Sequence, residues 1–178
     1  MALVLSGDSP SLSGTYQGGA VTSGTAVAST SGTSIDFTSI PSWVKRITVM
    51  FNNVSTNGTS PIIVQLGAGS VDAASYLTVT GLVTTSANVT RGYSPTTGFS
   101  IYGISSGSAS ANLSGSAIVS SFTSNTWVIQ GCISAGTDAS VSFVGGHKVL
   151  SGTLDRVRIT TVNGTDTFDA GSINILYE

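Results

Sequence analysis

His147 and Cys132 are the only histidine and the only cysteine in the sequence, so a thiol nucleophile or one activated by an imidazole has to use one or both of them. An imidazole within hydrogen-bond reach turns a hydroxyl or thiol into a nucleophile. His147 with one of the many serines and Asp138 or Asp155 could make a Ser-His-Asp set, and Cys132 with His147 a thiol–imidazole dyad. No Gly-x-Ser-x-Gly elbow stands between a strand and a helix, however, and His147 directly follows Gly145-Gly146, where a turn residue is the commoner reading. Cys132 sits mid-strand in Trp-Val-Ile-Gln-Gly-Cys-Ile, where a free cysteine usually behaves as a small buried hydrophobe.

The carboxylates offer little more. Asp166 and Asp169 are the one close pair, and paired carboxylates are what glycoside cleavage needs. They fall in Asn-Gly-Thr-Asp-Thr-Phe-Asp-Ala-Gly, where Asp and Asn ordinarily bond their own backbone and shape a loop; a calcium site built with backbone oxygens is the alternative. Lys45-Arg46 and Arg156/Arg158 are the only basic groupings, far short of a nucleic-acid footprint. Three aromatic residues, Trp43, Tyr93 and Tyr102, with Arg91 nearby, are the candidates for contacting a sugar or a host surface, against the commoner role of plugging a strand end. No catalytic, cofactor or metal residues are expected. Five Asn-x-Ser/Thr sequons carry no weight in a chain so rich in Ser and Thr.

Charged residues make up 8% of the 178 positions, against about 25% in an average domain. The apolar residues are mainly Val, Ile, Ala and Phe, and the polar ones mainly Ser and Thr. Such residues suit a pleated, half-buried surface, and the usual helix formers are scarce. The class expected is all-β. One cysteine excludes an intrachain disulfide framework, no apolar run reaches the roughly 18 residues of a membrane span, and Met1–Leu5 lacks the pattern of a signal peptide.

Residues 1–33 are nearly free of large apolar side chains and read either as a disordered leader or as an extended N-terminal arm that orders against a partner, with Ala2, Leu3, Val4 and Leu5 as the short segment able to dock. Residues 34–178 read as one β-sandwich domain. Strands are expected at Ser34–Phe37, Arg46–Asn53, Pro61–Leu66, Tyr76–Val83 and Phe99–Ile104, with a polar loop from Thr84 to Pro95 that carries Arg91 and Tyr93. Ser116–Thr123 and Thr126–Ile133 form a hairpin about Ser124-Asn125. Ser140–Val144 and His147–Leu150 flank a tight turn at Gly145-Gly146, and Asp155–Val162 and Ser172–Tyr177 complete the set. About ten antiparallel strands at this spacing suit a jelly-roll-like sandwich. Edges of Val, Ile, Thr, Ser and Gly carry little charge to blunt them, and another copy of the chain is the expected cover.

Two segments, Phe37–Leu66 (Phe-Thr-Ser-Ile-Pro-Ser-Trp-Val-Lys-Arg-Ile-Thr-Val-Met-Phe and onward) and Leu154–Glu178 (Leu-Asp-Arg-Val-Arg-Ile-Thr-Thr-Val-Asn-Gly-Thr-Asp and onward), resemble a β-rich domain of tailed-bacteriophage structural proteins, often found at the C-terminal end of tail-fibre-type chains. The resemblance implies a virion protein, homotrimeric, made in the bacterial host cytoplasm and displayed on the particle exterior. It carries over no catalytic or receptor-contact residue. The short leader, without coiled coil or shaft repeat, departs from the long-fibre pattern and turns the expectation toward a short fibre, a head fibre or a capsid decoration (cement) protein. The function expected is therefore structural and non-enzymatic, without cofactor, nucleic acid or membrane insertion. Its partners would be itself, other virion proteins of capsid or tail, and a host-surface glycan or protein. A polysaccharide-degrading enzyme is the remote alternative.

Overall fold

The computed structural model describes residues 21–85, 91–103, 109 and 111–178. These form fourteen strands and no helix, hence no helix long and apolar enough to cross a membrane. In chain order they are β1 (Thr22–Ser23), β2 (Val27–Ala28), β3 (Ser34–Thr38), β4 (Arg46–Thr56), β5 (Ile62–Ala68), β6 (Ser70–Val71), β7 (Leu77–Thr84), β8 (Arg91–Tyr93), β9 (Phe99–Ser100), β10 (Leu113–Ser121), β11 (Thr126–Ala135), β12 (Ser140–Val149), β13 (Arg156–Thr161) and β14 (Phe168–Tyr177). The larger sheet runs β1-β14-β4-β10-β11-β12-β7-β8 with β2 also on β14; the smaller runs β3-β13-β5-β6 with β9 on β5. All pairings are antiparallel.

The chain crosses between the layers at β3, β4, β5 and β7, and again at β9, β10, β13 and β14. The small sheet reads β3-β13-β5-β9, and the large one has β4 and β7-β8 separated by a returning strand. That is jelly-roll order, with the returning strand expanded into the meander β10-β11-β12. The core lies between the layers: Ile47, Val49 and Phe51 of β4, Ala117 and Val119 of β10, and Ile129 and Ile133 of β11 meet Ile35, Val64, Leu66, Val157 and Ile159 of the small sheet.

Strict alternation in β4 ends where Asn52 and Asn53 are both exposed and Asn53 takes φ 56°. Gly115 (φ 142°) and Gly171 (φ 89°) disturb the register of β10 and β14 against β4 at the same level. A Cβ on Gly171 would lie 2.4 Å from the Asn53 carbonyl oxygen, so the close backbone approach requires glycine there. Beyond the bulges, Val54 and Thr56 return to the core side.

The structure departs from the sequence-based strands in four places. Gly145-Gly146 is no turn: β12 runs through it unbroken, with Gly145 facing Val79 and Gly146 facing Thr78 of β7. Arg91–Tyr93 is a short strand on the free side of β7, within the stretch expected to be a polar loop. Phe99–Ser100 is all of the expected Phe99–Ile104 strand that pairs among the described residues. β14 begins at Phe168, four residues early, because its bulges let it follow β4 through the bend. Ala2, Leu3, Val4 and Leu5 lie outside the described residues; the described part of the 1–33 segment lays β1 and β2 along β14.

Lys148 points from β12 into the interior, 3% exposed. Its Nζ lies 2.7 Å from Asp72 Oδ2, donates to the Ala74 carbonyl at 2.7 Å and stands 5.0 Å from the centre of the Tyr76 ring. A buried ammonium is costly unless paired, and these three contacts tie the segment before β7 across the end of the sheet. Replacing Asp72 by Asn leaves the cation under-neutralised. D72N is expected to lower stability by about 1–3 kcal/mol, and K148M, which removes the charge and keeps the stem, by less; chemical denaturation of both variants checks the order.

Candidate interaction surface

The nucleophile candidates are not assembled. Cys132 pairs with Phe143 and His147 with Val128, so the two stand on the same outer face, four residues apart along adjacent strands, about 13 Å. Cys132 is exposed rather than buried, because the side of β11 that holds Val128, Gln130, Cys132 and Ser134 faces out. Asp138 lies beyond the far end of β12 from His147 and accepts from the Tyr102 hydroxyl at 2.7 Å. Asp155 accepts from Arg156 Nε at 2.8 Å and from the Gly69 N–H at 3.1 Å. The Arg156 hydrogen bond holds its carboxyl below the ordinary range.

Asp166 and Asp169 shape their loop. Asp166 accepts from the Ser60 N–H at 2.9 Å and Asn163 Nδ2 at 2.6 Å, while Asp169 accepts from the Ser55 hydroxyl. Asn163 Oδ1 caps the Thr165 and Asp166 N–H groups, so the β13–β14 loop is locked onto the β4–β5 turn. Asp36 pairs with Arg158 at 2.7 Å and Glu178 with Arg46. Among the described residues no three His, Cys, Asp or Glu side chains converge as a metal site would require.

The four surface-contact candidates are dispersed. Trp43 is half-buried at the end of the sandwich where β4 begins, its ring 6.0 Å from that of Tyr177. Tyr102 lies at the opposite end and is 3% exposed; its ring plugs the sandwich and its hydroxyl reaches Asp138 and Ser140. A buried phenol presents no face to a ligand. Arg91 and Tyr93 share edge strand β8, opposite Leu82 and Thr80. Only this pair remains close together, and Tyr93 is half-buried.

A different surface stands out, and aliphatic and aromatic side chains rather than reactive groups define it. In β7 the inward residues include Thr78 and Thr80, while Leu77 and Val79, each 62% exposed, and Val83 face outward. In β12, Ser140 and Ser142 are inward, whereas Phe143, 52% exposed, and Val149 are outward. The inward hydroxyls bond carbonyls of neighbouring strands: Thr78 to Gly145, Thr80 to Tyr93 and Ser142 to Gly81. With Val128 of β11, six of the nine large exposed hydrophobic side chains among the described residues lie on this one face. Ile118 and Cys132 continue it toward β10. Its signal in the sequence is the alternation Leu-Thr-Val-Thr from Leu77, but periodicity does not say which side is inside.

No family model, curated protein or solved structure matches the chain. The site rests on its own geometry.

Two buried phenols give the fold a pH limit. Burial pushes Tyr102 up from 10.0 to about 12 and raises Tyr76 as well. Tyr76 Oη accepts from the Leu66 N–H at 2.7 Å and donates to the Asp72 carbonyl at 2.9 Å. Because both folded-state values lie above the unfolded one, the stabilisation is complete below pH 10 and is lost as pH rises through the folded values. Y76F is expected to be less stable by roughly 1–3 kcal/mol at neutral pH, since it strands the Leu66 N–H, and to lose stability less steeply above pH 10. Denaturant titrations on both sides of that pH measure the two slopes.

Proposed function

We propose that this chain is a non-enzymatic structural protein of a bacteriophage virion, an exterior fibre-type component that works as an oligomer, a homotrimer by the resemblance, and docks on the particle through its N-terminal arm. The observation that carries the reading is the placement of the two segments that resemble phage structural domains. Phe37–Leu66 contributes β4 and most of β5, and Leu154–Glu178 contributes β13 and β14. β14 pairs with β4 and β13 with β5, so segments far apart in the chain form one continuous unit spanning both sheets. The uncharged apolar outer face supports an assembling rather than a solitary protein.

A capsid decoration or cement protein is the second reading, favoured by the breadth of the apolar outer face, which contact with a shell surface would cover. In either role the protein is made in the host cytoplasm and its partners are other virion proteins of capsid or tail. In the fibre role, Arg91 and Tyr93 on the β8 edge are the residues to contact a host-surface glycan or protein.

Labelled protein is expected on the outside of purified particles in electron micrographs, at the tail or a head fibre for the first reading and across the shell for the second. A chain lacking residues 1–20 should fold and fail to join particles; incorporation of that chain at the full-length level would remove residues 1–20, Ala2–Leu5 among them, as the anchor. The double variant R91A/Y93A should join particles normally and lower adsorption to host cells, and unchanged adsorption would remove these two residues as the contact.

A further inference from the structure

We infer that copies of this chain meet through the outer face of β7, β12 and β11, with Gly81 and Gly145 as the sockets of that contact. The inference rests on the oligomeric reading above and says where the subunits touch. Two glycines carry it. Gly81 and Gly145 both lie in strand interiors, outward, opposite Phe143 and Val79 respectively. Neither has a positive φ, and a Cβ built on either would have nothing within 4 Å. Their neighbour Gly146 differs: its Cβ would lie 2.3 Å from the Leu77 carbonyl oxygen, so the single chain itself requires glycine there.

Glycine inside a strand costs backbone entropy and gives up a side chain to pack, and where the fold does not require it, close approach of another backbone or ligand is its usual cause. At Gly81 and Gly145 the single chain gives no such reason. Each socket lies beside a knob, Phe143 next to Gly81 and Val79 next to Gly145, and the alternation of knob and socket is the relief that interdigitating sheets need.

A second copy is the occupant that fits. From β7 across to β10 the outward positions carry no Lys, Arg, Asp or Glu, and His147 and Cys132 are their only titratable side chains, so copies of the chain can pack here without like-charge repulsion. The three strands β7, β12 and β11, at about 4.8 Å spacing and about eight residues of roughly 3.4 Å rise, present about 400 Å² in flat projection, and β10 beside them brings it to about 500 Å². A stable interface takes about 800 Å² of accessible surface from each partner, and a corrugated side-chain surface exceeds its projection. The size is therefore that of a subunit interface rather than of a small-ligand site.

The test uses the full chain, its G145V and G81V variants, and light scattering at micromolar concentration. Valine suits a strand and meets open space at both positions, so the variants are expected to fold with the parent's circular dichroism spectrum. They are expected to fall from the oligomer to the 17.9 kDa single chain. Cys132, on the same face, should react slowly with a maleimide in the parent and fast in the variants. A parent oligomer whose mass is unchanged in both variants overturns this interface and leaves the oligomeric reading standing. A monomeric parent overturns both. A monomeric parent whose Cys132 is nonetheless protected in purified particles gives the face to a different virion protein. Failure of G145V to fold overturns the premise that the socket is open.

Discussion

β13 lies between β3 and β5 in the small sheet, and β14 lies between β1 and β4 in the large one, so the final strands supply an interior member to each layer. Every other part of the sandwich is conditional on that double insertion. Without β14, the long β4 would expose one whole side of its backbone hydrogen-bonding groups; without β13, β3 would have no neighbour at all. Such pairings join residues more than a hundred positions apart, as Ile173 with Phe51 and Arg158 with Asp36. The loop-closure entropy of these contacts is met only late in folding, which makes this a slow topology with transiently open edges. The bulges at Asn53, Gly115 and Gly171 then bend the three strands β14, β4 and β10 together, so the layers stay in register over ten-residue strands.

With the layers held in this way, the two halves of the large sheet diverge in character. On β4, β10 and β11 the inward residues are Val, Ile, Ala and Phe, as a sandwich core requires. On β7 and β12 the inward side is mixed, with Thr78, Thr80, Ser140 and Ser142 beside Leu82 and Val144, while Leu77, Val79, Val83, Phe143 and Val149 stand outward. The inner hydroxyls are not wasted: together with Tyr76, Tyr102 and Lys148 they form a hydrogen-bonded layer beneath those strands. The outward set leaves apolar surface on the side that a solitary soluble domain would keep polar, and this ties the packing of one chain to the proposed life of the protein in an assembly.

How much of this the sequence shows depends on the kind of information each feature needs. The all-β class, the sandwich and the core face of β4 follow from local alternation, which the residues Ile47, Val49 and Phe51 carry unaided. Gly145-Gly146 misled because a glycine pair is also the commonest mark of a turn; only the β7 partner on one side and β11 on the other make it strand interior. Arg91–Tyr93 became a strand through pairing with β7, a long-range contact with no local signature. For Tyr102 the commoner reading, a plug at a strand end, was the right one, and the sequence could not decide it against a surface contact because its acceptor, Asp138, lies 36 residues away. The apolar face was invisible for a different reason: a period of two is identical for a strand and its mirror, and which side is buried is decided by the opposite sheet.

The hydroxyl groups that stand in for charge also reach beyond β7 and β12. Ser29 bonds the Ala170 carbonyl, Thr160 the Thr33 carbonyl and Ser134 the Ser114 carbonyl, each stitching segments distant in sequence. These donors are neutral across the whole acid and neutral range, and no counterion atmosphere weakens them. Most of the cross-strand bracing is therefore indifferent to the medium. A chain of this kind, once closed, would feel little difference between the crowded interior of a cell, seawater and rain.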